Sequence, residues 1–130
     1  MQKLEARIAA NRIRTPDGTI VQSCHRHNFV SHVDAVNGKV YCVDGGLDYL
    51  RRMCDGPYKE ESLYEDDEHH LLREAVKWGT RGPKGDQETR FISISEMSLD
   101  HIEACLETQH FMNPVIRGVM INEIRYRNPT

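Results

Sequence analysis

The stretch that most constrains the fold runs from Val40 to Arg52 and reads Val-Tyr-Cys-Val-Asp-Gly-Gly-Leu-Asp-Tyr-Leu-Arg-Arg. Its β-branched and aromatic start predicts a strand over Val40–Val43. The Asp-Gly-Gly that follows permits positive φ angles and therefore predicts a sharp turn. Apolar residues at one-turn spacing, with arginines where a helix dipole favours cations, predict a short helix over Leu47–Met53. A strand, a glycine turn and a helix form either an anion-binding corner or a structural one, and both interpretations remain open.

The length of 130 residues suits one compact domain or two small units that share a core. We predict a β-hairpin unit over residues 1–54, and a connector with a helical half over residues 55–130. The formal charge of −3 argues against a dedicated nucleic-acid coat but leaves a local basic face open. No apolar run approaches the roughly 20 residues of a membrane helix, and the start lacks the apolar core of a signal peptide. We therefore expect no membrane partner, a cytoplasmic location and reduced cysteines.

Turn signals predict that the first half is built from hairpins. Apolar residues one turn apart predict a short helix over residues 3–11. Thr15-Pro16-Asp17-Gly18 predicts a tight turn before a strand over Thr19–Cys24. Asn37-Gly38 tolerates two positive φ angles in a two-residue turn, and so predicts a second hairpin between residues 29–36 and 39–43.

The second half has the periodicity and capping residues of helices. Residues 55–67 are polar and predict an exposed connector, after which Asp66 or Asp67 caps a helix to about Lys77 that Trp78-Gly79 ends. A strand is expected over residues 90–95. The closing elements are a helix from Ser98 to Gln109 and a helix that begins at Pro114, where proline is favoured. The predicted fold class is α+β: a small antiparallel ribbon-like β-unit followed by a helical C-terminal half with one further strand.

Imidazole, thiol and carboxylate groups cluster near the predicted hairpins, and these are the ligands of a zinc site. Their spacing matches no metal motif, so we predict surface or hydrogen-bonding histidines, no bound metal and no cofactor. If a metal is present, the expected ligands are Cys24, His25, His27, His32 and Cys42.

Two segments resemble an uncharacterised family of small phage and bacterial proteins. The chain reads His25-Arg26-His27-Asn28-Phe29 and later Val43-Asp44-Gly45-Gly46-Leu47-Asp48-Tyr49-Leu50-Arg51-Arg52. Members of the family read Arg-His-Asp-Phe followed by Val-Asp-Gly-Gly-x-x-Tyr-Leu-Arg-Arg, and the similarity covers residues 12–52. Short members carry Cys-x-x-Cys and Cys-x-Cys knuckles like a zinc ribbon, whereas this chain has Thr15-Pro16-Asp17-Gly18 and His32 with Asp34 at those places. The resemblance therefore implies a ribbon-like β-unit that has lost its metal.

The stretch from Val40 to Arg52 predicts a binding face. Its arginines offer forked donors, and its glycine turn offers backbone N–H groups, and both suit an anionic or acidic partner. The alternative is structural, with the arginines holding the acidic segment Glu60–Glu68 against the sheet. The residues assigned to the binding face are Arg26, His27, Asp44, Gly45, Gly46, Tyr49, Arg51 and Arg52.

The sequence lacks a complete catalytic set, and this absence favours a non-enzymatic binding protein. With the resemblance, it predicts an accessory or early phage product in the host cytoplasm that acts on a host protein, a defence system or a nucleotide signal. Its partner is then a host or phage protein or an anionic small molecule, and its oligomeric state stays open. One alternative is a metal-dependent phosphodiesterase or nuclease that uses His25, His27, Asp44 and Asp48. A second alternative is a structural component of the virion.

Overall fold

The computed structural model describes residues 6–82 and 84–128. Antiparallel strands come first and helices follow, with a further strand pair between the first and second helices, so the predicted α+β class is confirmed. The chain divides into two units, a β-unit over Ile8–Tyr64 and a helical unit that contains Arg7 and the segment from Glu65 onward. The predicted boundary after Cys54 lies inside the β-unit.

The β-unit contains two small antiparallel sheets. In the first sheet, β1 (Ile8–Arg14) lies between β2 (Ile20–Ser23) and two short strands, β6 (Lys59–Glu60) and β7 (Leu63–Tyr64). The second sheet has the order β3 (Val30–Val33), β4 (Val40–Asp44) and β5 (Arg51–Cys54). The core of the unit is a cluster of buried apolar side chains from both sheets, namely Ile13, Val21, Tyr41 and Val43, against which Val30 and Cys54 pack.

Three predictions for the β-unit are wrong. The helix over residues 3–11 is replaced from Ile8 onward by β1, because pairing with β7 and β2 overrides the helix propensity of its alanines. Residues 3–5 lie outside the described residues. The helix over Leu47–Met53 is replaced by a turn and by β5, which pairs with β4. The polar segment 55–67 is more than a connector, because it supplies β6 and β7.

The two predicted turns have different outcomes. Thr15–Gly18 forms the tight turn, with the Gly18 N–H donating to the Thr15 carbonyl at 2.9 Å. Asn37-Gly38 is not a two-residue turn, since only Gly38 has a positive φ, at 70°. The loop instead spans four residues between Asp34 and Lys39, whose backbones are joined by a 2.9 Å hydrogen bond.

The described part of the helical unit contains three helices and one hairpin. Its elements are α1 (His69–Ala75), β8 (Lys77–Thr80), β9 (Arg90–Ser93), a 3₁₀ turn (Ile94–Glu96), α2 (Leu99–Thr108) and α3 (Pro114–Arg127). Ser98 caps α2 and Pro114 begins α3, as predicted. Glu68, not Asp66 or Asp67, precedes α1, and Trp78-Gly79 lies inside β8 instead of ending a helix.

A fully buried carboxylate joins α1 to α3. Glu123 accepts hydrogen bonds from Arg73 at 2.8 and 2.9 Å, from Arg127 at 2.7 Å and from His69 at 2.9 Å. The Arg73 guanidinium also lies 4.4 Å from the centre of the Tyr126 ring. Burial acts to raise the pKa of Glu123, but the hydrogen bonds from Arg73, Arg127 and His69 outweigh it and lower that pKa to about 2.

Candidate functional site

The glycine turn of the opening stretch is a tightly packed loop. Gly45 and Gly46 have φ angles of 102° and 53°, which side-chain-bearing residues rarely adopt. A Cβ on Gly45 would collide with the Tyr49 carbonyl oxygen, and a Cβ on Gly46 would collide with the backbone of His25. Both positions therefore require glycine for two independent reasons.

The amide groups of this loop are used within the chain. The Gly45 N–H donates to the Asp44 carboxylate at 2.8 Å, and the Gly46 N–H donates to the Ser23 hydroxyl at 2.9 Å. The Ser23 hydroxyl in turn donates to the Asn28 carbonyl at 2.5 Å. The two glycine N–H groups are thus engaged in holding the loop and are not directed at a ligand.

Asn11 in β1 is the residue that fixes the loop, and sequence reasoning missed it. Its side chain is fully buried, and its Nδ2 donates to the carbonyls of Asp44 at 3.0 Å, Gly46 at 2.9 Å and Tyr49 at 3.2 Å. Its Oδ1 accepts a 2.6 Å hydrogen bond from Arg52. A single asparagine in a predicted helix gives no sequence signal for this role, because the contacts depend on strand pairing.

The two arginines of β5 lie on opposite faces of their sheet, as successive strand residues do. Arg52 points inward, where it donates to Asn11 and forms two hydrogen bonds of 2.6 and 3.1 Å with Glu60. Burial acts to raise the pKa of Glu60, but the hydrogen bonds from Arg52 and Ser62 outweigh it and lower that pKa. Arg52 therefore makes the contact with the acidic segment that the structural alternative expects of the arginines. Arg51, by contrast, is exposed.

The histidines and acids proposed for catalysis lie around the loop at exposed or half-buried positions. The His27 N–H donates to Nδ1 of His25 at 3.2 Å, and their ring centres are 6.4 Å apart. Asp48 forms an exposed ion pair with Arg26 at 3.2 Å. One oxygen of Asp44 accepts the Gly45 N–H. Within the described ranges, these residues do not form a group whose ligating atoms converge on one metal position.

The residues that we expected to bind a metal, if one is present, are also separated from one another. His32 faces the core side of its sheet and bonds Asp17, whereas the Cys42 Sγ lies on the other side against the Ser31 hydroxyl at 3.7 Å. In residues 6–82 and 84–128, one trio of side chains has ligating atoms within 4.8 Å of one another, and it comprises Asp17, His32 and Asp34.

This trio braces two turns. Asp17 accepts hydrogen bonds from Thr15, His32 and the N–H groups of Thr19 and Ala35. Asp34 accepts from the N–H groups of Asp17, Val36 and Asn37. The hydrogen bond from Thr15, followed by those from Ala35 and His32, holds the pKa of Asp17 well below its usual range. All four carboxylate oxygens are occupied, so the trio connects the β1–β2 turn to the β3–β4 loop.

One side of the three-stranded sheet carries exposed apolar side chains, and we call it the outer face. Val33 and Val40 are cross-strand partners and form one row of this face. Ser31, Cys42 and Met53 form the adjoining row, because residues two apart along a strand point to the same side of the sheet. Val33, Val40 and Met53 are 61%, 38% and 40% exposed. Asp44 and Arg51 form the next row. Phe29 before β3 and Val36 after it are also largely exposed.

Comparison with protein-family models, with curated proteins and with solved structures finds no match for the chain. Among the described residues, none of the helices is both long enough and apolar enough to cross a membrane.

Proposed function

We propose that the chain is a binding protein without catalytic activity, and that it docks a partner protein on the outer face of the β3–β4–β5 sheet. The observation that carries the proposal is the placement of Val33, Val40 and Met53 in adjoining rows, with their side chains exposed. Contiguous exposed apolar side chains mark interaction surfaces more often than isolated ones do.

Of the two charged residues in the row beside the apolar ones, Arg51 indicates the chemistry of the partner, because Asp44 already accepts the Gly45 N–H. Arg51 is exposed, and its guanidinium has no acceptor within residues 6–82 and 84–128. A free guanidinium offers a fork of donors that suits a carboxylate. The partner is therefore a protein that presents an apolar surface bordered by an acidic side chain.

The size of the outer face limits the kind of interface that it can form. Three strands about 4.8 Å apart and four residues long span on the order of 200 Å². A stable dimer needs about 800 Å² from each partner, so this face alone suits a small or transient interface. The resemblance to phage and bacterial proteins supports a bacterial host protein in the cytoplasm as the partner.

A non-catalytic role is supported by the surroundings of the glycine loop. Its two glycine N–H groups and one Asp44 oxygen are engaged within the chain, and Asp48 is paired with Arg26. Nothing in this arrangement favours the phosphodiesterase, and no feature of the described residues favours the virion component.

The test compares proteins captured from a bacterial lysate by matched variants. Val33→Glu with Met53→Glu places charge on the outer face, and Leu71→Glu with Ile121→Glu does so at comparably exposed apolar positions of the helical unit. We expect a partner that the parent and the control retain and that the outer-face variant loses by roughly tenfold or more. Arg51→Ala should weaken capture of the same partner, while Arg125→Ala should not.

Two results would overturn the proposal. One is equal retention of every captured protein by the outer-face variant and the control. The other is a concentration-dependent dimer in sedimentation that Val33→Glu with Met53→Glu abolishes, because a second copy would then be the occupant.

A further inference from the structure

The helical unit contains a cleft of about 570 Å³ that the proposed function does not use. One wall is the β8–β9 hairpin, with Thr80, Arg90 and Ile92, and the other wall runs from the 3₁₀ turn into the first turn of α2. This volume lies within the range of about 300–1,000 Å³ that small-molecule sites occupy.

The lining of the cleft combines apolar side chains with charges of both signs. Ile92 is half-buried and supplies apolar surface, whereas Met97 is almost fully buried and contributes only to the floor of the cleft. Arg90 stands on the hairpin wall, opposite Glu96, Asp100 and His101. The side chains of Arg90, Asp100 and His101 have no ion pair or hydrogen bond within the described part of the chain. Glu96 uses one oxygen to accept the Ser93 N–H.

We propose that this cleft binds a short zwitterionic peptide with apolar side chains. Arg90 meets the terminal carboxylate, Asp100 and Glu96 meet the terminal ammonium, and the apolar side chains lie against Ile92. Opposite charges on facing walls fit a ligand that carries both charges at separate ends.

The charge of the cleft disfavours other ligand classes. One arginine and two carboxylates give the lining a formal charge of −1 with His101 neutral, which repels a phosphate. The described lining contains no Phe, Tyr or Trp on which a nucleobase could stack, so a nucleotide is a poor fit.

The test is titration of the full chain with leucyl-leucine, followed by calorimetry and by amide chemical shifts. Two matched probes each lack one charge: N-acetyl-leucyl-leucine lacks the ammonium, and leucyl-leucinamide lacks the carboxylate. We expect each to bind roughly tenfold or more weakly than leucyl-leucine, with shifts in β9 and the start of α2. Adenosine monophosphate serves as the nucleotide probe and should not bind.

Variants assign the two ends of the ligand. Arg90→Gln should remove the preference for leucyl-leucine over leucyl-leucinamide, and Asp100→Asn should reduce the preference over the N-acetyl probe. Glu103→Gln and Arg125→Gln, at exposed helix positions, should leave both preferences unchanged. The proposal is overturned if leucyl-leucine causes no shifts up to about 5 mM, if the probes bind equally, or if adenosine monophosphate binds more tightly than leucyl-leucine. These outcomes do not affect the outer-face proposal, which concerns other residues.

Discussion

The buried carboxylate of Glu123 predicts a steep loss of stability of the helical unit in acid. The pKa of this group falls from 4.5 to about 2 on folding. A folded-state pKa below the unfolded one means that ionisation stabilises the fold above pH 4.5 and that this stabilisation disappears as the pH falls towards 2. At about 1.4 kcal/mol per pKa unit, the contribution at neutral pH is about 3 kcal/mol, of which about 2 kcal/mol is lost by pH 3.

Replacing the Glu123 carboxylate should remove its contribution to the pH dependence of stability. Glu123→Gln keeps the shape of the side chain but leaves Arg73 and Arg127 without their anion, so we expect a loss of about 3 kcal/mol at pH 7. This loss of stability is at the low end of the range for breaking a buried ion pair. The reason is that the side chains of Arg73 and Arg127 are 21% and 24% exposed, so water can partly solvate them in the variant.

The assay is urea unfolding followed by the fluorescence of Trp78, the single tryptophan of the chain, at several pH values. The free-energy gap between the parent and Glu123→Gln should narrow from pH 7 to pH 3. Glu103→Gln, at an exposed position of α2, should show no gap at either pH. A gap that stays constant across this range would refute the assignment of the acid sensitivity to Glu123.

The remaining predictions concern the β-unit and are measured by thermal or urea unfolding. Gly46→Ala should cost roughly 3 kcal/mol or more because its Cβ meets the backbone of His25, whereas Gly38→Ala, with a positive φ but open space, should cost about 1 kcal/mol; equal losses would contradict the collision. Asn11→Ala should cost about 2–4 kcal/mol because three carbonyls lose their donor. Arg52→Ala should cost about 2 kcal/mol and Arg51→Ala less than about 0.5 kcal/mol, and the reverse order would contradict their assignment to opposite faces.

Local signals in the sequence predicted the features that depend on local geometry. The Thr15–Gly18 turn, the Ser98 cap and the Pro114 helix start each follow from the backbone preferences of a few adjacent residues. The α+β class follows from the same signals summed over the chain.

The errors occurred where tertiary pairing overrides local preference. The spacing of Leu47 and Leu50 matches a helix, yet these residues lie in the turn before β5. β5 itself forms because β4 supplies a ladder and because Arg52 reaches Asn11 and Glu60. The segment 55–67 has the composition of a polar connector, yet it supplies β6 and β7, and its Glu60 pairs with the inward-facing Arg52. Such long-range contacts leave no periodic trace in the sequence.

The candidate site was predicted only in part, for the same reason. Arg51 and Arg52 are adjacent in sequence, and only the strand assignment shows that they face opposite sides. The outer face was not predicted, because recognising that Val33 and Met53 share a surface requires the register of β3, β4 and β5. The available signal was that residues two apart along a strand share a face. Because a helix was predicted over Leu47–Met53, this rule was not applied to β5.

The most direct test of docking on the outer face is site-specific photocrosslinking in bacterial cells that express the chain. A photoreactive phenylalanine analogue is placed at Met53 on the outer face and, as a matched control, at Ile121 of α3, where the exposed fractions are 40% and 38%. We predict a discrete adduct with one foreign protein from position 53, none from position 121, and loss of the adduct when Val33→Glu is added. Equal adducts from both positions, or no adduct from position 53, would contradict docking on this face.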